Sequence, residues 1–228
     1  MPESEHPQAI DAEFIGRVSY DDALTLQEHT VAAIRSGQSG PRLLLLEHDP
    51  VFTIGRTRDQ SSLRAVEALP HPLREINRGG QATYHGPGQL VGYPILDLHP
   101  YGRDLHRYLR FLEQVVIDVL ATYQISAGRS AGQTGVWVGD RKIASIGVGV
   151  RHWITMHGFA LNVSGELTGF GSITPCGISG VTMTSIEREI TTAPSVETVA
   201  DVTARTFAAG LSQLANEPRP ASQAKIDS

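Results

Sequence analysis

The hydrophobic period of this 228-residue chain changes without settling into a strand–helix–strand rhythm, and that irregularity restricts the fold more than any single motif. The clearest helical stretch is RDLHRYLRFLEQVVIDVLATY. Leu105, Leu109, Leu112, Val116, Val119 and Tyr123 recur there at helical spacing, while Arg107, Arg110, Gln114 and Asp118 fall on another face. DDALTLQEHTVAAIRSG predicts a second helix, with Asp21 or Asp22 as its cap and Gly37 at its end. Residues 195–216 predict a third, with Ser195 as N-cap and Glu197 in the first turn. Between these helices lie β-like runs. RLLLLEH is continuous and apolar, as in a buried strand, and VFTIGR follows it. A further run covers Leu90 to Leu98, TGVWVGDRKIASIGVGV splits into two strands at Gly139-Asp140, and WITMHGFALNVS continues the β character. Strands in the middle with helices interspersed predict an α+β fold. With no linker, repeat or low-complexity stretch, a single domain is expected, its core over about 14–214, with flexible tails at 1–12 and 215–228.

A net charge of −5 gives no basic footprint for nucleic acid. The first residues, MPESEHPQAIDAEF, carry neither a basic nor an apolar leader region, and no apolar run is long enough to span a bilayer, so a cytoplasmic protein without a membrane partner is expected. Cys176 is the single cysteine, which excludes an internal disulfide. Of the 19 basic residues only Lys142 and Lys225 are lysines, and Lys225 lies in the polar tail, so Lys142 is the lysine of the folded body.

Cys176 sits in ITPCGISG, between Pro175 and Gly177, where a loop exposes backbone and leaves room for a ligand. An inert thiol fits this loop as well as a nucleophile does, and a nucleophile needs a base. His48, His85, His99, His152 and His157 are candidates near loops or strand ends, and Lys142 is another. With reference values of about 8.5 for a thiol and about 10.4 for an ammonium, proton transfer from sulfur to nitrogen is downhill. A solvated lysine at a plain strand start is the better account of the residues around Lys142 until something independent ties it to Cys176. RGGQATYHGPGQ lacks the G-K-[ST] ending of a P-loop and the G-x-G-x-x-G of a dinucleotide fold. Its glycines bring backbone N–H groups near a partner, and Arg78, Tyr84 and His85 add donors, which suits a substrate cradle. HWITMH is not a zinc-binding H-E-x-x-H, and no metal is expected.

RGGQATYHGPGQLVGYPILDL closely resembles the signature of the lipoyl(octanoyl) transferases. EHDPVFTIGR, TPCGISG and GDRKIASIGVGVRHWITMHGFALNV resemble the family's remaining blocks, so the likeness runs over about residues 14–214. The resemblance implies the α+β catalytic domain of biotin and lipoate protein ligases, a mixed β-sheet with flanking helices. It implies transfer of an octanoyl group from octanoyl-acyl-carrier protein to a lysine on lipoyl domains of 2-oxoacid dehydrogenase complexes and on the glycine cleavage H protein, by a monomer needing no cofactor. Cys176 is then the nucleophile and Lys142 the residue that activates it. Arg78, Gly79, Gly80, Gln81, Ala82, Thr83, Tyr84 and His85 line the acyl site, with Ser145, Ile146 and Gly147 and with Gly158, Phe159 and Ala160. Arg58, Arg78 or Arg151 would help dock the acidic carrier. An ATP-dependent ligase and a non-catalytic carrier-binding module are the alternatives.

Overall fold

The computed structural model describes residues 9–56, 62–63, 66–174 and 180–216; Cys176 and Arg58 lie outside them. The described chain runs β1 (Asp11–Val18), α1 (Tyr20–Arg35), β2 (Arg42–His48), β3 (Val51–Ile54), β4 (Leu73–Glu75), β5 (Thr83–His85), β6 (Gln89–Ile95) and α2 (Leu105–Thr122). It continues through β7 (Gly128–Ser130), β8 (Gln133–Val138), β9 (Arg141–Arg151), β10 (Ile154–Asn162), β11 (Thr182–Met183), α3 (Ile186–Glu189) and α4 (Val196–Asn216). Strands and helices thus mix as the changing period predicts. The first strand nevertheless begins at Asp11, inside the stretch expected to be a tail, because it pairs parallel with β2 from Asp11↔Arg42 onward.

Among the described residues the main sheet runs β1-β2-β6-β10-β9-β8-β7, with β11 parallel to β9, and a smaller sheet runs β4-β3-β5. The main sheet is mixed: β1–β2 is parallel, while β2–β6, β6–β10, β10–β9 and β9–β8 are antiparallel. Helix α1 packs on one face, α2 and α4 on the other. This explains the unbroken apolar run in β2. Leu43 and Leu45 join the core under α2 and α4, Leu44 and Leu46 the core under α1, so neither face of the strand meets water.

Local signals set the helix ends. The cap of α1 is Ser19, one residue before the helix, whose Oγ accepts from Asp22 N at 3.1 Å; Asp21 and Asp22, expected as caps, stand in the first turn. Gly37 ends the helix with φ 73°, a left-handed position that glycine takes without strain. Asp104 caps α2 and Ser195 Oγ accepts from Thr198 N in α4. The turn at Gly139-Asp140 joins β8 and β9 as predicted. The β9–β10 turn is built on His152 and Trp153 at φ 52° and 64°, with neither glycine nor asparagine to mark it. The smaller sheet closes over Phe52, Ile54, Leu63, Ala82, Phe170, Ile173 and Met183 and carries the glycine-rich loop to the edge of the main sheet.

Candidate active site

The glycine-rich loop folds around its own arginine. Arg78 is buried, and its guanidinium donates to the carbonyls of Gly79 (2.9 Å), Gln81 (3.0 Å) and Thr53 (3.2 Å) and to Thr53 Oγ1 (2.9 Å). It is therefore an inward staple and not a docking group for a carrier protein. Arg151, at the end of β9, is exposed. Gly79 N donates to Val148 O at 2.9 Å and lays the loop across β9. That approach needs Gly147: a Cβ there would stand 3.0 Å from both Arg78 Cδ and Gly79 O.

Loop, β9, β10 and the start of α1 enclose a cleft of about 470 Å³, its open mouth included. Arg78, Gly80, Gln81, Thr83 and His85 line it from the loop, Ser145, Ile146 and Gly147 from β9, and Gly158, Phe159 and Ala160 from β10. Strand alternation sorts the rest of the loop. Thr83 and His85 face the cleft, while Tyr84 between them packs on Phe52, His71 and Phe170. Ala82 is buried in the small core and Gly79 contributes its backbone bond to β9. Tyr20, Ile76, Val91, Tyr93 and His157 also line the cleft, and none was expected there. His157 alone carried a signal, as one of the histidines near a strand end.

Burial keeps the histidines and tyrosines at the polar end of this cleft uncharged around the Arg78 cation. Burial, with His48 and the Arg78 cation nearby, lowers His85 to about 3, although its Nδ1 is 2.7 Å from Gln89 Oε1. Burial and Arg78 lower His157 to about 4. Burial also lowers His48, whose Nε2 lies 2.7 Å from Tyr93 Oη, and raises Tyr20 and Tyr93. Tyr20 Oη, Thr83 Oγ1, Ser145 Oγ and His157 Nδ1 have no hydrogen-bond partner among the described residues, so they are available to a bound molecule.

Lys142 is the second residue of β9, three residues before Ser145, roughly 10 Å along a strand. It is 0% exposed, which removes the solvated-lysine reading. Its Nζ donates to Thr134 O at 2.9 Å and lies 5.3 Å from the centre of the Trp137 ring. Its backbone pairs with Met183 in β11, and Thr184 N donates to Lys142 O at 2.9 Å. In sequence the 175–179 stretch, with Cys176, joins Thr174 to the residues leading into that strand.

A family model described as the lipoyl protein ligase A/B catalytic domain matches residues 19–208. A protein of Geotalea uraniireducens named octanoyltransferase is 52% identical over 178 residues, which cover 77% of this chain and 81% of that protein. Another octanoyltransferase, from Geobacter sulfurreducens, is 51% identical over 211 residues, covering 92% of this chain and 88% of that protein. The crystal structure of lipoate-protein ligase A bound with ATP superposes with a TM-score of 0.74 at 16% identity, over 90% of this chain and 86% of that one. Biotin protein ligase from Aquifex aeolicus, in complex with biotin and ATP, gives a TM-score of 0.57 at 12% identity, over 89% of this chain and 71% of that one. At such identities the structural likeness is one of fold, and it is the mixed-sheet α+β fold expected.

Proposed function

This chain belongs to the lipoyl protein ligase A/B catalytic-domain family and is an octanoyltransferase, as are its relatives at 52% and 51% identity; we propose that it moves octanoyl from octanoyl-acyl-carrier protein to a lysine of lipoyl domains through a thioester on Cys176. The observation that carries this reading is the fully buried Lys142 at the head of the strand that floors the cleft. A lysine in the interior is costly unless it is used or paired, and an ammonium beside a thiol favours the thiolate.

The cycle has two halves. Lys142 takes the thiol proton, and the Cys176 thiolate attacks the octanoyl thioester. A new S–C bond forms, the carrier's S–C bond breaks, and the carrier thiol leaves with the proton from Lys142. Thioester replaces thioester, so the step is close to balanced and needs no ATP. The amine of the target lysine then attacks the acyl-enzyme. A C–N bond forms, the Cys176 S–C bond breaks, and a proton from the amine returns to the sulfur–nitrogen pair. Amide replaces thioester, which drives the reaction forward.

The cleft is the slot for the acyl chain in this reading. Ile146, Phe159 and Ala160 supply apolar wall and Gly147 and Gly158 leave width. Each buried methylene contributes about 0.8 kcal/mol, so about six contribute ~5 kcal/mol, enough to favour a medium chain over acetyl. Acceptors are the lipoyl domains of 2-oxoacid dehydrogenase complexes and the glycine cleavage H protein, and the enzyme works as a cytoplasmic monomer. Intact-mass measurement tests the scheme. Incubation with octanoyl-acyl-carrier protein should add one octanoyl group to the wild type and none to Cys176→Ala, and an apo lipoyl domain should then remove it. Release of AMP from ATP and free octanoate, without an acylated enzyme, would overturn the scheme in favour of a ligase.

A further inference from the structure

Glu113 is a buried carboxylate in the middle of α2, 1% exposed, on a helix face where the other buried side chains are apolar or aromatic. Its Oε2 accepts from Arg110 Nη1 at 2.6 Å and from Arg129 Nε, on β7, at 2.9 Å. Its Oε1 accepts from Gly135 N, on β8, at 3.2 Å. The N–H of Gly135 and the C=O of Thr134 belong to one peptide unit, and that C=O is the group to which Lys142 Nζ donates at 2.9 Å. Glu113 and Lys142 therefore hold opposite ends of a single planar peptide.

The site is shaped for this relay. Gly135 has φ 130°, and a Cβ on it would lie 2.7 Å from Lys142 Cε and 2.6 Å from Ala144 O. Glycine alone gives this peptide its orientation and leaves the amine its slot. The β8–β9 register shifts at Val136/Trp137, just past this point, which frees the Thr134–Gly135 unit from the regular ladder. Among the described residues, Glu189 of α3 takes Arg141 and Thr184, and Arg110 and Arg129 are held by Glu113 itself.

We propose that Glu113 is a positioning residue for Lys142, its carboxylate fixing the Thr134–Gly135 peptide so that the Thr134 carbonyl presents its lone pair to Lys142 Nζ. The inference rests on the reading of Lys142 as partner of the Cys176 thiol. A carboxylate is required because both of its oxygens accept: one side faces two guanidinium donors and the other faces a backbone N–H. A glutamine in the same place has a single acceptor. Its oxygen turns to the guanidinium groups, and its amide NH2 then meets the Gly135 N–H donor to donor, which pushes the peptide out of line. The negative charge beyond the peptide also polarises the Thr134 carbonyl toward a cationic Nζ.

Alkylation of Cys176 by iodoacetamide, followed by intact mass at pH 7, reads the thiolate directly without substrate. Wild type, Lys142→Ala, Glu113→Gln and Gly135→Ala are compared, each shown folded by circular dichroism. Glu113→Gln and Gly135→Ala should both be alkylated about tenfold more slowly than wild type, with Lys142→Ala at least as slow. In octanoyl transfer, Glu113→Gln should lower kcat and leave the KM for the octanoyl donor unchanged, since it touches no part of the cleft. Wild-type alkylation in Glu113→Gln with a slow Lys142→Ala overturns the relay and leaves the Lys142–Cys176 pair intact. Equal rates in all four proteins overturn the pair itself. Where Glu113→Gln yields no folded protein, Glu113→Asp, which keeps two acceptor oxygens but holds them one methylene short of Gly135 N, decides: slowed alkylation supports the relay and the wild-type rate overturns it.

Discussion

At the residue scale, Lys142 is the position where the proposed chemistry meets the packing. Its stem fills a slot bounded by Trp137 and by the bare backbone of Gly135, and it reaches no solvent. Lys142→Arg puts a bulkier side chain into that slot, and a guanidinium does not give up its proton at accessible pH. Octanoyl transfer by this variant should fall at least ~100-fold, the usual worth of a positioned acid–base group. The mass of the lipoyl-domain product checks it, and transfer at the wild-type rate would remove Lys142 from proton transfer. Only the family resemblance singled out Lys142, since its rarity favoured chance, and its burial was not readable because a lysine near the start of a strand after a turn reads as exposed. Tyr20, Tyr93 and His157 escaped for a related reason. Each sits in a segment whose local pattern is satisfied by ordinary packing, and only long-range contact brings them to the cleft.

At the element scale, strand and helix contacts hold the cleft at a fixed width. Gly92 of β6 lies opposite Phe159 of β10, and a Cβ at residue 92 would stand 2.2 Å from the Phe159 ring. Gly92→Ala should push that ring, a wall of the cleft, and destabilise the protein by about 1–3 kcal/mol through overpacking. Urea unfolding measures the loss. The KM for octanoyl donors should rise with it, and an unchanged KM would show that Phe159 does not bound the acyl chain. Asp104→Ala provides the contrast. It removes the α2 cap, which accepts from Arg107 N at 3.0 Å, so about 1 kcal/mol should be lost with kcat and KM unchanged. The phase of α2 also differs from the expected stripe. Leu105 is exposed, and the buried face is Tyr108, Phe111, Leu112, Val115, Val116, Val119 and Leu120, because α4 covers a second flank. Strands as short as β5 and β11, of three and two residues, have no period from which to be read.

At the scale of the whole molecule, the buried histidines make stability depend on pH. An unfolded histidine titrates near 6.5, but His157 and His85 are lowered to about 4 and about 3 in the folded protein, and His48 is lowered as well, all chiefly by burial. Between those values the unfolded chain binds more protons than the folded one. Stability is therefore full above the unfolded value and falls as the pH drops toward the folded values. At pH 5 the loss should be about 2 kcal/mol for each of His85 and His157, as an order of magnitude. Urea unfolding at pH 7 and pH 5 measures it. His157→Asn, which tolerates the left-handed φ of 57° at that position, should lose markedly less between the two conditions. A flat profile in the wild type would mean that these side chains are charged in place.

The division between what the chain announces and what the fold decides follows from the range of the forces involved. Period, capping residues and turn chemistry act over a few neighbours, so the sequence alone determined that helices and strands would mix without a βαβ rhythm. It also determined where the long helices and the Gly139-Asp140 turn would fall. The glycines of the loop from Arg78 to His85 suggested a substrate cradle, while the strand residues around Ser145 and Phe159 were marked only by the family resemblance. Which side chains those segments present to one another depends on how the sheet is threaded. β2, β6 and β10 became neighbours although they are far apart in the chain, and strand alternation then sent Thr83 and His85 inward and Tyr84 outward. The burial of Glu113 and Lys142 on opposite ends of one peptide was likewise decided only by tertiary packing. A charged residue is stable in the interior only where partners from distant segments meet it, and no local pattern in the sequence records that meeting.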